Sequence, residues 1–342
     1  MTYLAHTENS NGVPHELKDH LRSVGRLAAE FAAQMNPAMS EAARWAGLLH
    51  DLGKYRDEFQ QYLRGHRESS IETHHAIYGA ALTFQQRCIG PTLAIAGHHA
   101  GLHDWHQLAE ELKADIKYCA QDQLAQLRER FVAELAELAE KIAEPDFIRT
   151  NPLSAELYVR MLFSSLVDAD FLDTEAHYKL TSRLTRSLQP GESLQRIIAE
   201  KESKPRDGEL NELRNQIFQQ CLEAALNEPG FFSLTVPTGG GKTLAGMAFA
   251  LAHAQRYELR RVIVVIPYLS IIEQNAAQYR RILDPERNGI VIENHSAVAP
   301  PEDTGEERPF KPFERHATDY AAENWDAPVI VTTSVQFIES LF

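Results

Sequence analysis

Gly47-Leu48-Leu49-His50-Asp51-Leu52-Gly53-Lys54 decides how the first half of this chain folds. The apolar run from Trp45 to Leu49 predicts a buried helix, Gly53 a helix stop, and Lys54 a residue just beyond it. An imidazole and a carboxylate on adjacent residues turn toward one metal ion only where the backbone is held fixed, and a buried helix end provides that. Alone, His-Asp is a common dipeptide that describes a capped helix end. Its company changes the reading.

Working outward, Leu17, Leu21, Val24, Leu27, Ala28 and Phe31 recur at three- and four-residue spacing and predict an amphipathic helix with His20 beside its stripe. A second helix starts near Ser40 and runs to His50-Asp51; others are expected over 75–86, 91–99, 108–142 and 157–171. The Ala- and Glu-rich segment 108–142 reads as packing, while 157–171 delivers Asp168 and Asp170. Of 15 histidines, 11 fall at or before position 106, a crowding that points to metal ligation by His20, His50, Asp51, His75, His98, His99 and Asp170. His6, His15, His66, His103, His106, His177, His253 and His316 read as structural or surface residues.

This half resembles the HD superfamily of metal-dependent phosphohydrolases, whose core is a His, an adjacent His-Asp and a distant Asp on separate helices. The resemblance maps those onto His20, His50, Asp51 and Asp170. It also favours His75 over His74, through the following Gly79-Ala80, and Asp170 over Asp168. Four ligands suffice for one ion, so His75, His98 and His99 imply a second, with Asp51 bridging the two. A ligand set rich in imidazole and free of thiolate suits manganese, iron, cobalt, nickel or zinc. His50 and Asp51 are the catalytic candidates. Lys54 either neutralises charge on a phosphate or is a solvated helix-end lysine.

Past 189–208, where Pro, Gly, Glu and Lys accumulate and a linker is expected, the periodicity changes. Phe231 to Val236, Val262 to Ile266 and Val329 to Thr332 are short runs of strand formers, with a weaker one near Ile290 to Ile292. Strand, loop, helix, strand is the pattern of a parallel sheet. Between the first run and a helical segment lie Pro237, Thr238, Gly239, Gly240, Gly241, Lys242 and Thr243. Glycines let backbone N–H groups approach phosphate, Lys242 reaches the β- and γ-phosphates, and Thr243 joins a magnesium shell. Val236 stands where the general phosphate-loop pattern has Gly, and with Pro-Thr-Gly this resembles superfamily-two helicases. On the same resemblance, Gln216 reads adenine, while Pro267, Gln274 and Thr333 lie in segments that contact nucleic acid.

An HD centre followed by a helicase-like loop is the order of the type I CRISPR-associated nuclease-helicase ("Cas-three") family, which the chain resembles along nearly its whole length. The resemblance implies an all-helical nuclease domain over 1–188 and, over 209–342, the N-terminal part of a RecA-like α/β domain, incomplete because no Asp-Glu motif follows Gln336. It also implies a single-stranded DNA substrate, ATP with magnesium in the helicase portion, and recruitment to an RNA-guided surveillance complex. An NTP-regulated phosphohydrolase of small nucleotides is the competing enzyme reading; a nucleotide- and DNA-binding module with a structural metal is the non-enzyme one.

Composition bounds these readings. At 342 residues, 44% hydrophobic and 24% charged, the chain reads as a globular protein of about two domains. It shows neither a membrane-length apolar run nor a signal peptide, so a cytoplasmic protein is expected. Cys88, Cys119 and Cys221 form no Cys-x-x-Cys pair, which excludes a disulfide framework and a thiolate zinc site. A net charge of -14 opposes long-range attraction to nucleic acid, so contact would depend on a local basic groove and on bound cations.

Overall fold

The computed structural model describes residues 2–68, 75–113, 121–136, 141–179, 187–205, 207–294, 325 and 327–341. Cys119 and His316 lie outside them. The chain divides into two compact units, Met1–Arg183 and Leu184–Phe342.

The first unit is helical apart from a short antiparallel hairpin, β1 (Leu4–His6) and β2 (His15–Glu16). Helices α1 (Leu17–Met35) and α2 (Ser40–Leu49) follow. Leu17, Leu21, Val24, Ala28 and Ala32 are fully buried, as the three-and-four spacing requires. The two helices cross at Gly25 and Gly47, so close that a Cβ on Gly47 would sit 2.7 Å from the Gly25 backbone. A 3-10 turn over Leu52–Tyr55 leads to α3 (Asp57–Leu63), α4 (Ala76–Gln85), α5 (Ile89–Gly97), α6 (Trp105–Lys113) and α7 (Gln121–Leu135). Within the expected helix over 108–142, the described residues of α7 bury Leu124, Leu127, Phe131 and Leu135 along one stripe.

Helix α8 (Pro152–Lys179) is 28 residues long and packs on α1, α2 and α5. Its start is set by Asn151, whose side-chain oxygen accepts from the N–H groups of Leu153 and Ser154, with Pro152 at the first helical position. Leu162, Leu166 and Ala169 are fully buried, which fixes the rotation of the helix and so the direction of Asp170.

The second unit begins with α9 (Pro190–Glu202) and α10 (Glu209–Ala224). The expected linker over 189–208 is therefore corrected: 13 of its residues form α9, and Leu194 and Ile197 enter the unit's core. The Pro and Gly that signalled a break are instead the helix start, where a missing N–H costs nothing. Helix α11 (Lys242–Tyr257) precedes β3 (Val262–Ile266), α12 (Leu269–Leu283), β4 (Val291–Asn294), β5 (Val329–Thr333) and α13 (Ser334–Leu341). The three strands are parallel in the order β3-β5-β4, and central β5 is fully buried from Val329 to Thr332. In chain order, a helical unit is thus followed by a unit built on a small parallel α/β sheet.

A second correction concerns 231–236, expected as a strand. It belongs to no ladder among the described residues, and Phe231 and Leu234 are exposed. Strand-forming side chains do not make a strand without a hydrogen-bonded neighbour. Phe232, also exposed, meets Phe249 of α11 edge-on at 4.9 Å, and Val236 packs against the unit's core.

Candidate metal centre and nucleotide loop

Four elements bring the candidate ligands of the first unit together. His20 comes from α1, His50 and Asp51 from the end of α2, His98 from the end of α5, and Asp170 from α8. His20, His50 and Asp51 are at most 1% exposed and His98 8%. His75 precedes α4, and its Nε2 lies 2.8 Å from Nε2 of His99. Asp170, rather than Asp168, lies among the ligand candidates.

Asp51 faces two ways. Its Oδ2 is 3.3 Å from Nε2 of both His20 and His50, whereas its Oδ1 is 3.1 Å from Nε2 of His75 and 3.8 Å from Nε2 of His98. Asp170 Oδ1 approaches His20 at 3.3 Å and His50 at 3.6 Å. Two ligand groups therefore share one carboxylate: His20, His50 and Asp51 on one side, Asp51, His75, His98 and His99 on the other.

The tautomers are fixed from behind. His50 Nδ1 donates to the Gly47 carbonyl at 2.8 Å and His98 Nδ1 to the Ile95 carbonyl at 2.6 Å, each three residues back at a helix end where carbonyls lack helical partners. His20 Nδ1 donates to Asp173 Oδ2 at 2.7 Å. All three rings therefore turn Nε2 inward, as the atom that takes up either a second proton or a metal ion. Oδ1 of Asp51 and Nε2 of His98 are buried without a hydrogen bond. Buried polar atoms in that state need an explanation, and a cation held by this oxygen- and imidazole-rich set provides one.

Burial opposes charge here, but the opposite charges win. Desolvation would lower His20 and His50, yet Asp51, Asp170 and, for His20, Asp173 outweigh it, holding His20 well up and His50 at about 9. Desolvation would raise Asp51 and Asp170, and the histidines, joined at Asp51 by Lys54, keep both carboxyls well below the usual range. On the outer side burial dominates: His75 is lowered and His99 falls to about 3, its neighbours His98 and His75 adding to the effect.

Lys54 is not a solvated helix-end residue. It is 5% exposed, with Nζ 2.6 Å from Asp51 Oδ2, bonded to the Ala5 carbonyl at 3.3 Å and over the Phe59 ring. The reading as structural or surface residues describes His66, His103 and His106, which are exposed. It misses where His6, His15 and His177 go. The hairpin pairs His6 with His15 beside His20, and the His15 ring stacks on His177 with centroids 4.4 Å apart. Asp173 was also overlooked, although it lies three residues after Asp170 and so on the same helix face.

In the second unit the loop 236–241 enters the start of α11, with Gly239 and Gly241 at φ +85°, a conformation that a side chain would strain. Lys242 Nζ donates to the Val236 carbonyl at 3.0 Å, folding the loop back on itself. Pro237 and Thr238 are exposed on it, and Gly240 is buried against Val236. The Thr243 carbonyl accepts from Tyr279. From α10, Gln216 is exposed, whereas Arg214 donates to the Gly239 carbonyl at 2.8 Å. Pro267 follows Ile266, whose register partner on β5 is Thr333; both therefore lie at the carboxyl end of the sheet, where open α/β folds bind ligands. Gln274 is exposed on α12, and Thr333 Oγ1 caps α13 by accepting from Gln336 N at 3.0 Å.

Comparison with known proteins supplies the context. The HD domain family model matches residues 17–146, and that of the type III restriction enzyme res subunit matches 207–339. The CRISPR-associated nuclease/helicase Cas3 of Haloferax volcanii is 26% identical over 423 residues, an alignment that covers all of this chain and 45% of the relative. The chain is a homologue of the Cas3 nuclease/helicases. The T. fusca Cas3 structure with ATP aligns to this chain with a TM-score of 0.54 at 16% identity, over 98% of the chain and 43% of that one. The AMPPNP form gives 0.52 at 18%, over 97% and 43%. At that identity the likeness is one of fold. The chain spans less than half the length of these relatives. Its HD match ends before Asp170, the ligand candidate that α8 adds. Among the described residues no helix is long and apolar enough to cross a membrane.

Proposed function

We propose that the first unit is a metal-dependent nuclease that cuts single-stranded DNA, and that the chain belongs to a CRISPR-associated nuclease-helicase acting in the cytoplasm with an RNA-guided surveillance complex. The observation that carries the chemistry is the division of the Asp51 carboxylate between two sets of histidines. His20, His50, Asp51 and Asp170 would hold one divalent transition-metal ion, and Asp51, His75, His98 and His99 a second. Such a pair supplies Lewis-acid activation of a water and neutralises charge on the phosphate under attack.

The chain's own groups do the rest. Asp51 is held ionised and can serve both ions, while Asp173, Gly47 and Ile95 keep the inner imidazoles in the tautomer that offers Nε2. Lys54 balances the Asp51 carboxylate and keeps a positive charge next to the site. Burial and the neighbouring His98 and His75 hold the His99 ring toward its neutral form, the form that ligates. The nucleotide loop, with Pro237 to Thr243, would hold ATP and magnesium through its N–H groups, Lys242 and Thr243, and Pro267, Gln274 and Thr333 would meet the nucleic-acid strand.

Incubation of the chain with circular single-stranded DNA and a panel of manganese, iron, cobalt, nickel and zinc tests this. Linear and then shorter products in some of these metals, without ATP and absent from Asp51→Ala, are expected. Intact circles in every metal, with nucleotides hydrolysed instead, would replace this reading with that of a small-nucleotide phosphohydrolase.

A further inference from the structure

His20 differs from the other two inner histidines in what stands behind it. His50 and His98 lean on carbonyls at the ends of their own helices. His20 lies inside α1, where backbone carbonyls are engaged in the helix, and it is wholly buried. Its Nδ1 proton goes to a carboxylate from another helix, Asp173 Oδ2 at 2.7 Å. That carboxylate is itself held: His15 Nε2 lies 3.4 Å from the same oxygen, and the His15 ring is stacked flat on His177, with an interplanar angle of 12°. The hairpin carrying His15 is tied to the last turns of α8 at four further points. His6 Nε2 meets Thr174 Oγ1 at 3.1 Å, His177 Nε2 donates to the Thr7 carbonyl at 3.0 Å, Thr7 meets the Tyr178 hydroxyl at 3.0 Å, and Asn9 donates to the His177 carbonyl at 3.2 Å.

We propose that Asp173, held by His15 of the N-terminal hairpin, is the positioning residue for His20, fixing the ring orientation and tautomer with which it meets the metal centre. The proposal rests on the two-ion reading of that centre. An alternative use of these residues is a third ion among His6, His15 and His20, whose ligand atoms lie within 4.8 Å of one another. His20 argues against it, since its Nε2 faces Asp51 and Asp170 and its Nδ1 proton is already given to Asp173; ligation on that side would require the ring to lose both protons. Carboxylates behind metal-bound histidines orient the ring and raise its basicity, and removing one costs about tenfold to a hundredfold in metal affinity.

Cobalt(II) titration of the full chain, followed by visible absorption and by competition with a chelator, separates the two ions. Asp173→Asn and Asp173→Ala are expected to weaken one ion by about tenfold to a hundredfold and to alter its absorption, while the ion at His75, His98 and His99 stays within about twofold of wild type. His15→Ala is expected to shift the same ion in the same direction by less, and Asp173→Glu to restore part of the loss. Circular dichroism melts accompany each variant. Equal weakening of both ions, or two unchanged ions in the Asp173 variants, overturns the positioning role. An unshifted His15→Ala removes His15 from it. A wild-type chain that binds no cobalt overturns the two-ion reading itself.

Discussion

The Nε2 atoms of His20 and His50 face each other across 3.3 Å, each ring having already given its Nδ1 proton to an acceptor behind it. Two lone pairs at that separation repel unless a cation, either a proton or a metal ion, lies with them. The rise of His50 to about 9, driven by Asp51 and Asp170 against burial, is the metal-free protein's answer.

A ring that titrates at about 9 is protonated at neutral pH, and a metal ion needs its lone pair. Binding must therefore expel a proton, and apparent affinity should fall as pH falls below about 9, by up to about tenfold per unit. Calorimetry of manganese binding in buffers of different ionisation enthalpy will count the protons released. No release between pH 6 and 8, a window lying wholly below that value, would show that the ring is already neutral.

Stability of the metal-free chain should peak near the ordinary histidine value of 6.5. His50, raised when folded, contributes stability that is complete below 6.5 and lost as pH rises through about 9. His99 and His15, lowered to about 3 and about 4 by burial and by neighbouring histidines, act in the opposite sense. The unfolded chain takes up their protons first, so stability is lost as pH falls from 6.5 toward those values. Melting temperatures measured in chelator across pH 4 to 9 that rise steadily with pH would contradict the His50 arm.

Asp51→Ala should lose both ions and all DNA cleavage. It also strands the buried ammonium of Lys54, at a cost of about 3–5 kcal/mol, so the near-isosteric Asp51→Asn is the companion variant. His98→Ala and His99→Ala should each lose one metal equivalent by elemental analysis and keep the ion at His20, His50 and Asp170. Two equivalents retained in both histidine variants would place these rings outside the centre.

Gly53→Ala should disturb the outer ion alone. Its new Cβ would sit 2.3 Å from the His75 carbonyl oxygen and 2.6 Å from His75 Cα, so the backbone carrying that ring must move, with about 1–3 kcal/mol of overpacking. Gly246→Ala, within α11 and with nothing inside 4 Å, is the contrasting variant and should stabilise by up to about 1 kcal/mol. Thermal melts and metal counts on both variants check the pair.

Lys242→Ala and Arg214→Ala should both weaken binding of a fluorescent ATP analogue, the first by removing the cation for the phosphates and the second by freeing the Gly239 carbonyl that it holds. Arg214→Ala binding equal to wild type would limit the role of α10 to packing.

Much of this architecture is legible in the residues because it is local. Leu17 to Phe31 and Leu124 to Leu135 display their buried faces as spacing, and His50-Asp51 stands at a helix end that its own neighbours define. Gly239 to Thr243 announces a phosphate loop by composition. What escaped is what depends on partners distant in the chain. Residues 231–236 have the side chains of a strand but no ladder, and Pro190 looked like a break because its helix is secured by contacts with α11 and α12. Asp173 and His15 are separated by more than 150 residues from one or both of the groups that give them meaning, His20 and Asp173. Only the three-residue step from Asp170 could have flagged Asp173 in advance.

The meeting of Gly25 and Gly47 has a consequence for metal choice. His20 stands five residues before one glycine and His50 three residues after the other, so the spacing between their rings is gauged by main-chain contact between two helices. An ion arriving there finds an aperture already cut to size. Exchanging one transition metal for another should then alter how many waters complete the shell and leave the ligand spacing alone. A bulkier residue at either glycine would reset the aperture itself, with every ligand residue unchanged.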